Sequence, residues 1–150
     1  MDATHKKILS LLQEDGRRTT TELAAEVGMS LSSCHRRVRE LETSGAIQRY
    51  RAEISPEALG LRFEALIFVT MGRTDQDTVA EFEGRIAELP AVVTAQRLFG
   101  NPDYMLRVLT EDLPGYQRLY DSELGSLPGV QRLNSTMVMK RIGVDGTIPV

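Results

Sequence analysis

The chain has 150 residues, a formal net charge of -3 and 41% hydrophobic residues, enough apolar content for a core in one ordinary domain or two small ones. An acidic chain is excluded as a coat for nucleic acid held by bulk charge, and no apolar run approaches the ~18 residues of a membrane span. Nothing at the N-terminus has signal-peptide architecture, and the single cysteine, Cys34, leaves no internal disulfide to form; a soluble cytoplasmic protein is the expectation.

In chain order, His5 to Glu14 sets Ile8, Leu9, Leu11 and Leu12 at helical spacing, and Asp15-Gly16 closes that helix. The stretch TTELAAEVGMSLSSCHRRVRELETS, Thr20 to Ser44, then reads as two short helices hinged at Gly28. Thr19 and Glu22 make a capping-box pair before the first, and Ser30 suits the N-cap of the second. Gly28 and Gly45 tolerate the left-handed conformation that ends a helix. At about 100° per residue, Cys34, Val38 and Leu41 share one face of the second helix, while Ser32, His35, Arg36 and Arg39 share the other. A stripe that rests on a core beneath a face of hydroxyl, imidazole and guanidinium groups is the layout of a DNA-reading helix-turn-helix.

Roles follow from reach. Arg36 is long enough for bidentate contact with guanine O6 and N7, and Ser32 and Ser33 near the helix N-terminus suit phosphate or base edges. Arg37 and Arg39 are expected to hold phosphates, which fix register without reading sequence. Taken alone, a helix-Gly-helix stretch is better explained by a solvated basic helix in a bundle; the helix before it and the segment after it reverse that preference in favour of the DNA reading. That following segment, AIQRYRAEI from Ala46 to Ile54, alternates and predicts a strand pair or wing. Its Arg49 and Arg51 then lie beside a phosphate backbone or simply on an exposed strand face. Residues 30 to 51 carry five Arg against two Glu, so binding is expected to be focused, salt-sensitive and helped by pairing two heads.

SPEALG, Ser55 to Gly60, reads as a connector. The expected organisation is a helix-turn-helix domain over 1–53, a linker over 54–61 and a second domain over 62–150. Phe63 to Met71 is β-branched and aromatic enough for a buried strand, and Val79, Phe82, Ile86 and Leu89 then recur at helical spacing within Asp77 to Leu89. Val92 to Phe99 and Tyr104 to Leu109 predict two strands joined by the turn residues GNPD. Tyr116, Leu119, Tyr120, Leu124 and Leu127 predict a helix that ends at Pro128-Gly129, and Val130 to Ile142 predicts a final strand. The order βαββαβ points to an α+β fold, a ferredoxin-like sandwich with helices on one face of an antiparallel sheet. Apolar residues on both parities of the first strand predict that the bare face is buried by a second copy, giving a dimer with two heads that matches a palindromic site.

At this level the sequence resembles the leucine-responsive regulator and AsnC group, the feast/famine regulators, over nearly its whole length. ILSLLQEDGR followed by LAAEVGMSLSSCHRRVRELETSGAIQRY is similar to that family's helix, turn, recognition helix and wing. GNPDY at Gly100 to Tyr104, LPGV at Leu127 to Val130 and STMVMK at Ser135 to Lys140 resemble its ligand-sensing domain. The resemblance implies a transcriptional regulator that forms homodimers, commonly assembles four of them into an octamer, and responds to an amino acid or related metabolite bound at a junction between dimers. Carried over residue by residue, Gly100, Asp103 and Tyr104 fall on the family's glycine, acid and aromatic positions, and Thr136 on a frequent polar position of the last strand. Asn101 stands where the family often has an acid, with Pro102 stiffening the same turn, and this altered charge bears on which effector is held. An α-amino acid needs an acceptor for its ammonium group and donors for its carboxylate; Asp103 and the backbone N–H groups around Gly100 can supply them. The same residues also fit plainer roles, as a turn glycine, a strand-initiating acid and a core aromatic.

Catalysis finds little support. Cys34 and His35 are helix neighbours about 100° apart and do not face each other. One cysteine and two histidines make no recognisable metal set, and no Gly-rich phosphate loop is present, so no cofactor is expected. The competing reading is a ferredoxin-like small-molecule-binding or enzymatic module whose N-terminal head binds protein; the polar stripe of Ser32, His35, Arg36 and Arg39 argues against it, since a protein-docking helix is more often apolar.

Overall fold

Local capping chemistry sets the first three helices in a computed structural model that describes residues 1–142 and 148–150. Helix α1, Ala3–Glu14, starts where the Asp2 side chain accepts the His5 N–H at 2.8 Å. Helix α2, Thr20–Val27, carries the reciprocal Thr19 and Glu22 capping box, and Gly28 at φ 71° closes it by donating to the Ala24 and Ala25 carbonyls. Helix α3, Leu31–Thr43, starts at Ser30, whose hydroxyl accepts the Ser33 N–H. The apolar stripes meet in a small core of Ile8, Leu23, Ala24, Cys34 and Leu41, flanked by Leu9, Leu12, Val27, Val38 and Ile47. Each fully buried Leu or Ile contributes about 1.5–3 kcal/mol of transfer free energy.

Residues 46–54 contain no strand, so the strand pair expected there is corrected to an irregular segment. Alternation supplies a side-chain pattern, but a ladder also needs a partner strand. Here the chain folds back onto α3 instead: the Ile47 N–H donates to the Leu41 carbonyl at 3.0 Å, and the Tyr50 hydroxyl donates to Glu42 at 3.1 Å.

The chain divides into two compact units, Met1–Glu53 with Ile142–Val150, and Ile54–Arg141. The expected boundaries therefore shift. Residues 54–61 belong to the second unit, with a 3-10 turn at Glu57–Leu59 ended by Gly60. The last residues belong to the first unit, where the Gln13 side chain donates to the Ile148 carbonyl at 3.1 Å and accepts its N–H at 2.6 Å.

The second unit follows the predicted order: strand β1 Phe63–Met71, helix α4 Gln76–Glu88, strands β2 Val92–Arg97 and β3 Tyr104–Thr110, helix α5 Leu113–Ser122, and strand β4 Val130–Met137. The sheet runs β2-β3-β1-β4 with every pairing antiparallel. Register places Ile67 against Leu106 on one side and Ser135 on the other. Ala65, Ile67, Val69, Met71, Leu106 and Val108 face Phe82, Ile86, Tyr116 and Leu124 in the core beneath the helices. Leu66, Phe68, Met105 and Leu109 alternate onto the opposite face, where they are half-buried. Strand β4 stops at Met137, short of the expected Ile142, because its partner β1 begins at Phe63: Met137 pairs with Ala65, and the Val138 N–H makes a last bond to Glu64.

Gly129, at φ 71°, anchors the turn into β4. A Cβ there would lie 2.3 Å from Thr78 Cγ2 and 3.1 Å from the Arg73 carbonyl, while the Gly129 carbonyl accepts the Gly72 N–H at 2.8 Å. Both the close approach and the backbone angle require glycine.

Candidate DNA-reading face and effector loop

Ser30 caps α3 so that its following turns present Ser32, His35, Arg36 and Arg39 to solvent. With Glu40, Thr43 and Ser44 they line one open hollow of about 630 Å³. Behind them Cys34 and Leu41 are buried. Burial pushes the Cys34 thiol pKa up, which disfavours the thiolate that a nucleophile would need. Among the described residues, His35, Arg39, Arg49 and Arg51 take part in no ion pair, so their donors stay available to an incoming anion.

Ser33 and Arg37, of the expected set, are drawn off the open face by contacts within the protein. Ser33 is half-buried and its Oγ accepts from the Ser30 hydroxyl at 2.9 Å, tying it to the helix cap. Arg37 reaches the N-terminus of α1, with Nη1 2.6 Å from Asp2 Oδ2 and a side chain 22% exposed. The His5 N–H and the Arg37 guanidinium together hold the Asp2 carboxyl at about 2. Arg37 thus ties α3 to α1. Arg36 remains on the open face, 67% exposed, and its Nη1 donates to Glu40 Oε1 at 2.6 Å.

Of the effector candidates, Gly100 and Asn101 are exposed in the turn between β2 and β3, with Gly100 at φ 139°. Asp103 secures that turn: its carbonyl accepts the Leu98 N–H at 2.7 Å, its N–H donates to Val69 at 2.9 Å, and its Oδ2 accepts the Met71 N–H at 2.7 Å. Tyr104 is 4% exposed, with its ring 4.7 Å from Phe82 and its hydroxyl donating to Glu83 Oε1 at 2.7 Å. Burial first, and then the Glu83 carboxylate, push its phenol up to about 12. Arg97 Nη1 lies 3.6 Å from the same Glu83 oxygen, and the three side chains border a half-open cleft of about 390 Å³ between α4 and β2, walled by Phe82, Ile86 and Val92. Thr136 is exposed on β4 opposite Leu66, whereas Tyr104 pairs with Val69. Leu66 and Val69 are three positions apart along β1, an odd step, so alternation puts Thr136 and Tyr104 on opposite faces of the sheet. The turn gathers Gly100 to Tyr104; it does not gather Thr136.

Both halves match known families in the order the geometry implies. Residues 1–48 match the winged helix-turn-helix DNA-binding family, and residues 64–148 match the Lrp/AsnC ligand binding domain. The chain belongs to the Lrp/AsnC family. It is 37% identical over 142 residues to the Bkd operon transcriptional regulator of Pseudomonas aeruginosa, covering 95% of this chain and 93% of that one. To the leucine-responsive regulatory protein of Rhizobium meliloti it is 34% identical, covering 95% and 91%. Among solved structures, a transcriptional regulator from Neisseria meningitidis in complex with L-Met superposes with a TM-score of 0.94 at 35% identity, over 99% of this chain and 96% of that one. As an Lrp/AsnC member the protein is a DNA-binding transcriptional regulator with a ligand-binding domain.

Sequence reasoning passed over Glu40 and Glu83. Glu40 follows Arg36 by four positions, a spacing that always brings two helical side chains together, so its signal was present in the text. Glu83 meets Tyr104 across α4 and β3, and no local pattern announces that contact.

Proposed function

We propose that this Lrp/AsnC regulator reads duplex DNA with the exposed face of α3, Arg36 addressing a base edge, and that an amino acid or related small metabolite bound by the sheet unit controls when it does so. The observation that carries the first part is the gathering of Ser32, His35, Arg36 and Arg39 on one solvent face above a buried stripe. Ser32 and His35 are the remaining base-edge or phosphate contacts, and Arg39, Arg49 and Arg51 are phosphate anchors. Arg37 and Ser33 act indirectly, by fixing α3 on its supporting helix and its cap.

Pairing of two copies is supported by the half-buried apolar groups Leu66, Phe68, Met105 and Leu109 on the sheet face that carries no helix. A homodimer covering that face presents two heads, and the second head binds at a raised effective concentration. The family resemblance favours further association of dimers to an octamer. The protein acts in the cytoplasm, where its DNA target lies, and performs no catalytic step.

For the effector, the turn Gly100 to Tyr104 supplies exposed backbone and a carboxylate that keeps acceptor capacity after bonding Met71. Because Thr136 stands on the other face of the same sheet, it joins such a site only from a neighbouring copy. The L-Met held by the Neisseria relative favours an apolar amino acid. A thermal-shift screen of the proteinogenic amino acids tests this. The expected result is a selective rise, worth about 2.7 kcal/mol at a hundredfold excess over Kd, that is weakened in Asp103→Asn. A flat screen at millimolar concentrations would remove the amino-acid effector and leave the DNA-reading face to be judged separately. Coupling must be reciprocal: an effector that weakens DNA binding by some factor binds the DNA-loaded protein less well by the same factor.

A further inference from the structure

We propose that Glu40 is a positioning residue for sequence reading: its carboxylate holds the Arg36 guanidinium in one orientation on the α3 face, and His5 of α1 lies against that carboxylate from behind. The inference rests on the reading of Arg36 as a base contact.

Glu40 uses its two oxygens differently. Oε1 accepts from Arg36 Nη1 at 2.6 Å, and Oε2 lies 3.4 Å from His5 Nε2. The other ring nitrogen of His5 is 3.1 Å from Asp2 Oδ1, and Asp2 Oδ2 takes Arg37 Nη1 at 2.6 Å. The His5 side chain is 17% exposed and Glu40 46% exposed, and Arg37 Nη1 lies 3.3 Å from His5 Nδ1, so this contact between α1 and α3 is partly open to solvent. Asp2 in turn is fixed as the N-cap of α1. A chain of contacts therefore runs from the capped start of α1 through His5 and Glu40 to the tip of Arg36.

An arginine at 67% exposure would otherwise sample many rotamers, and ordering it on binding would cost conformational entropy. Holding one N–H with a carboxylate leaves four of the five guanidinium donors for the groove and restricts where they point. Bidentate recognition of a guanine edge depends on that direction, whereas phosphate attraction does not. Glu40 has a second consequence, because a carboxylate inside the hollow lined by Ser32, His35, Arg36 and Arg39 repels phosphate. It therefore lowers affinity for DNA of any sequence while raising discrimination. The Arg36–Glu40 pair is exposed, 67% and 46%, and exposed ion pairs stabilise a fold little, so the effect of losing Glu40 should fall on base preference and hardly on melting.

The test uses full-length wild type, Arg36→Ala, Glu40→Ala, Glu40→Gln and His5→Ala, each titrated against a duplex obtained by selection, its single-base variants and a random-sequence duplex, across a range of salt. Arg36→Ala locates the base pair it reads. At that pair Glu40→Ala is expected to lose about tenfold in discrimination, with equal or tighter binding to random DNA and a nearly unchanged melting temperature. Glu40→Gln, which keeps an oxygen acceptor for Arg36, restores part of the discrimination, and His5→Ala shows a smaller loss in the same direction as Glu40→Ala. If Arg36→Ala relaxes one base pair while Glu40→Ala leaves that preference intact, or weakens specific and random binding equally, the positioning role is overturned and base reading by Arg36 stands. If Arg36→Ala itself relaxes no base pair, the base-reading premise falls and the positioning role falls with it.

Discussion

The proposed reading face on α3 and the proposed effector loop of the sheet unit are built from different kinds of information. Ser32, His35, Arg36 and Arg39 belong to one helix between one cap and one stop, so a rotation of about 100° per residue is enough to put them together. Tyr104 and Thr136 belong to strands separated by β1, and only the register of two antiparallel ladders decides that they face opposite sides. A site written along a single helix survives translation from pattern to structure, whereas a site assembled across strands is fixed by pairings that no local pattern contains. The same contrast holds for glycines. Gly28 ends α2 with open space around its missing Cβ, while Gly129 is pressed against Thr78 and Arg73 from far along the chain.

That contrast can be broken most visibly at the glycines. Gly129→Ala should destabilise the sheet unit by about 2–4 kcal/mol, combining overpacking with positive-φ strain, as read by chemical denaturation. Gly28→Ala, with strain alone, should cost about 1 kcal/mol; equal losses at the two positions would contradict the packing account. Arg36→Ala comes next, with an expected loss of about 1–3 kcal/mol on the selected site and relaxed preference at one base pair. Arg39→Ala should instead weaken all sequences alike and lower the salt slope. A loss at Arg36 that is uniform across sequences would turn it into a phosphate anchor.

Two smaller effects separate the regions by pH. The Tyr104 phenol has a folded value of about 12 against an ordinary 10.0. The folded state thus holds that proton more tightly, and its stabilising contribution, complete below pH 10.0, fades as pH rises towards about 12. Tyr104→Phe should abolish that alkaline component of the unfolding curve. At the other end, Asp2 is lowered from 3.8 to about 2, so its contribution to the head is present above pH 3.8 and lost as pH falls through about 2. Asp2→Asn should flatten the helical unit's acid response in that window; an unchanged acid profile would show that the Arg37 and His5 contacts to Asp2 do not matter for stability.

Legibility followed the same division. Caps at Thr19 and Ser30, the stop at Gly28 and the buried stripe through Cys34 and Leu41 were all readable, because each involves residues within one helical turn or one helix face. The βαββαβ order was readable as well, since periods of 2 and 3.6 alternate cleanly through the second half. The irregular course of residues 46–54 was not, because AIQRYRAEI has a strand's alternation without a partner strand and Ile47 is taken into the head core. Nor was the commitment of Arg37 to Asp2, an ion pair spanning the distance from α3 to the first residues of the chain. Register likewise fixed the end of β4 and the split between Tyr104 and Thr136.

The central claim is that α3 reads a particular DNA sequence. Selection from randomised duplex DNA by the full-length protein, at low salt and with and without pooled amino acids, tests it most directly. The expected result is enrichment of one motif, two-fold symmetric if two heads bind together, that Arg36→Ala blurs at one position in each half. Recovery of unenriched DNA under both conditions would contradict the account.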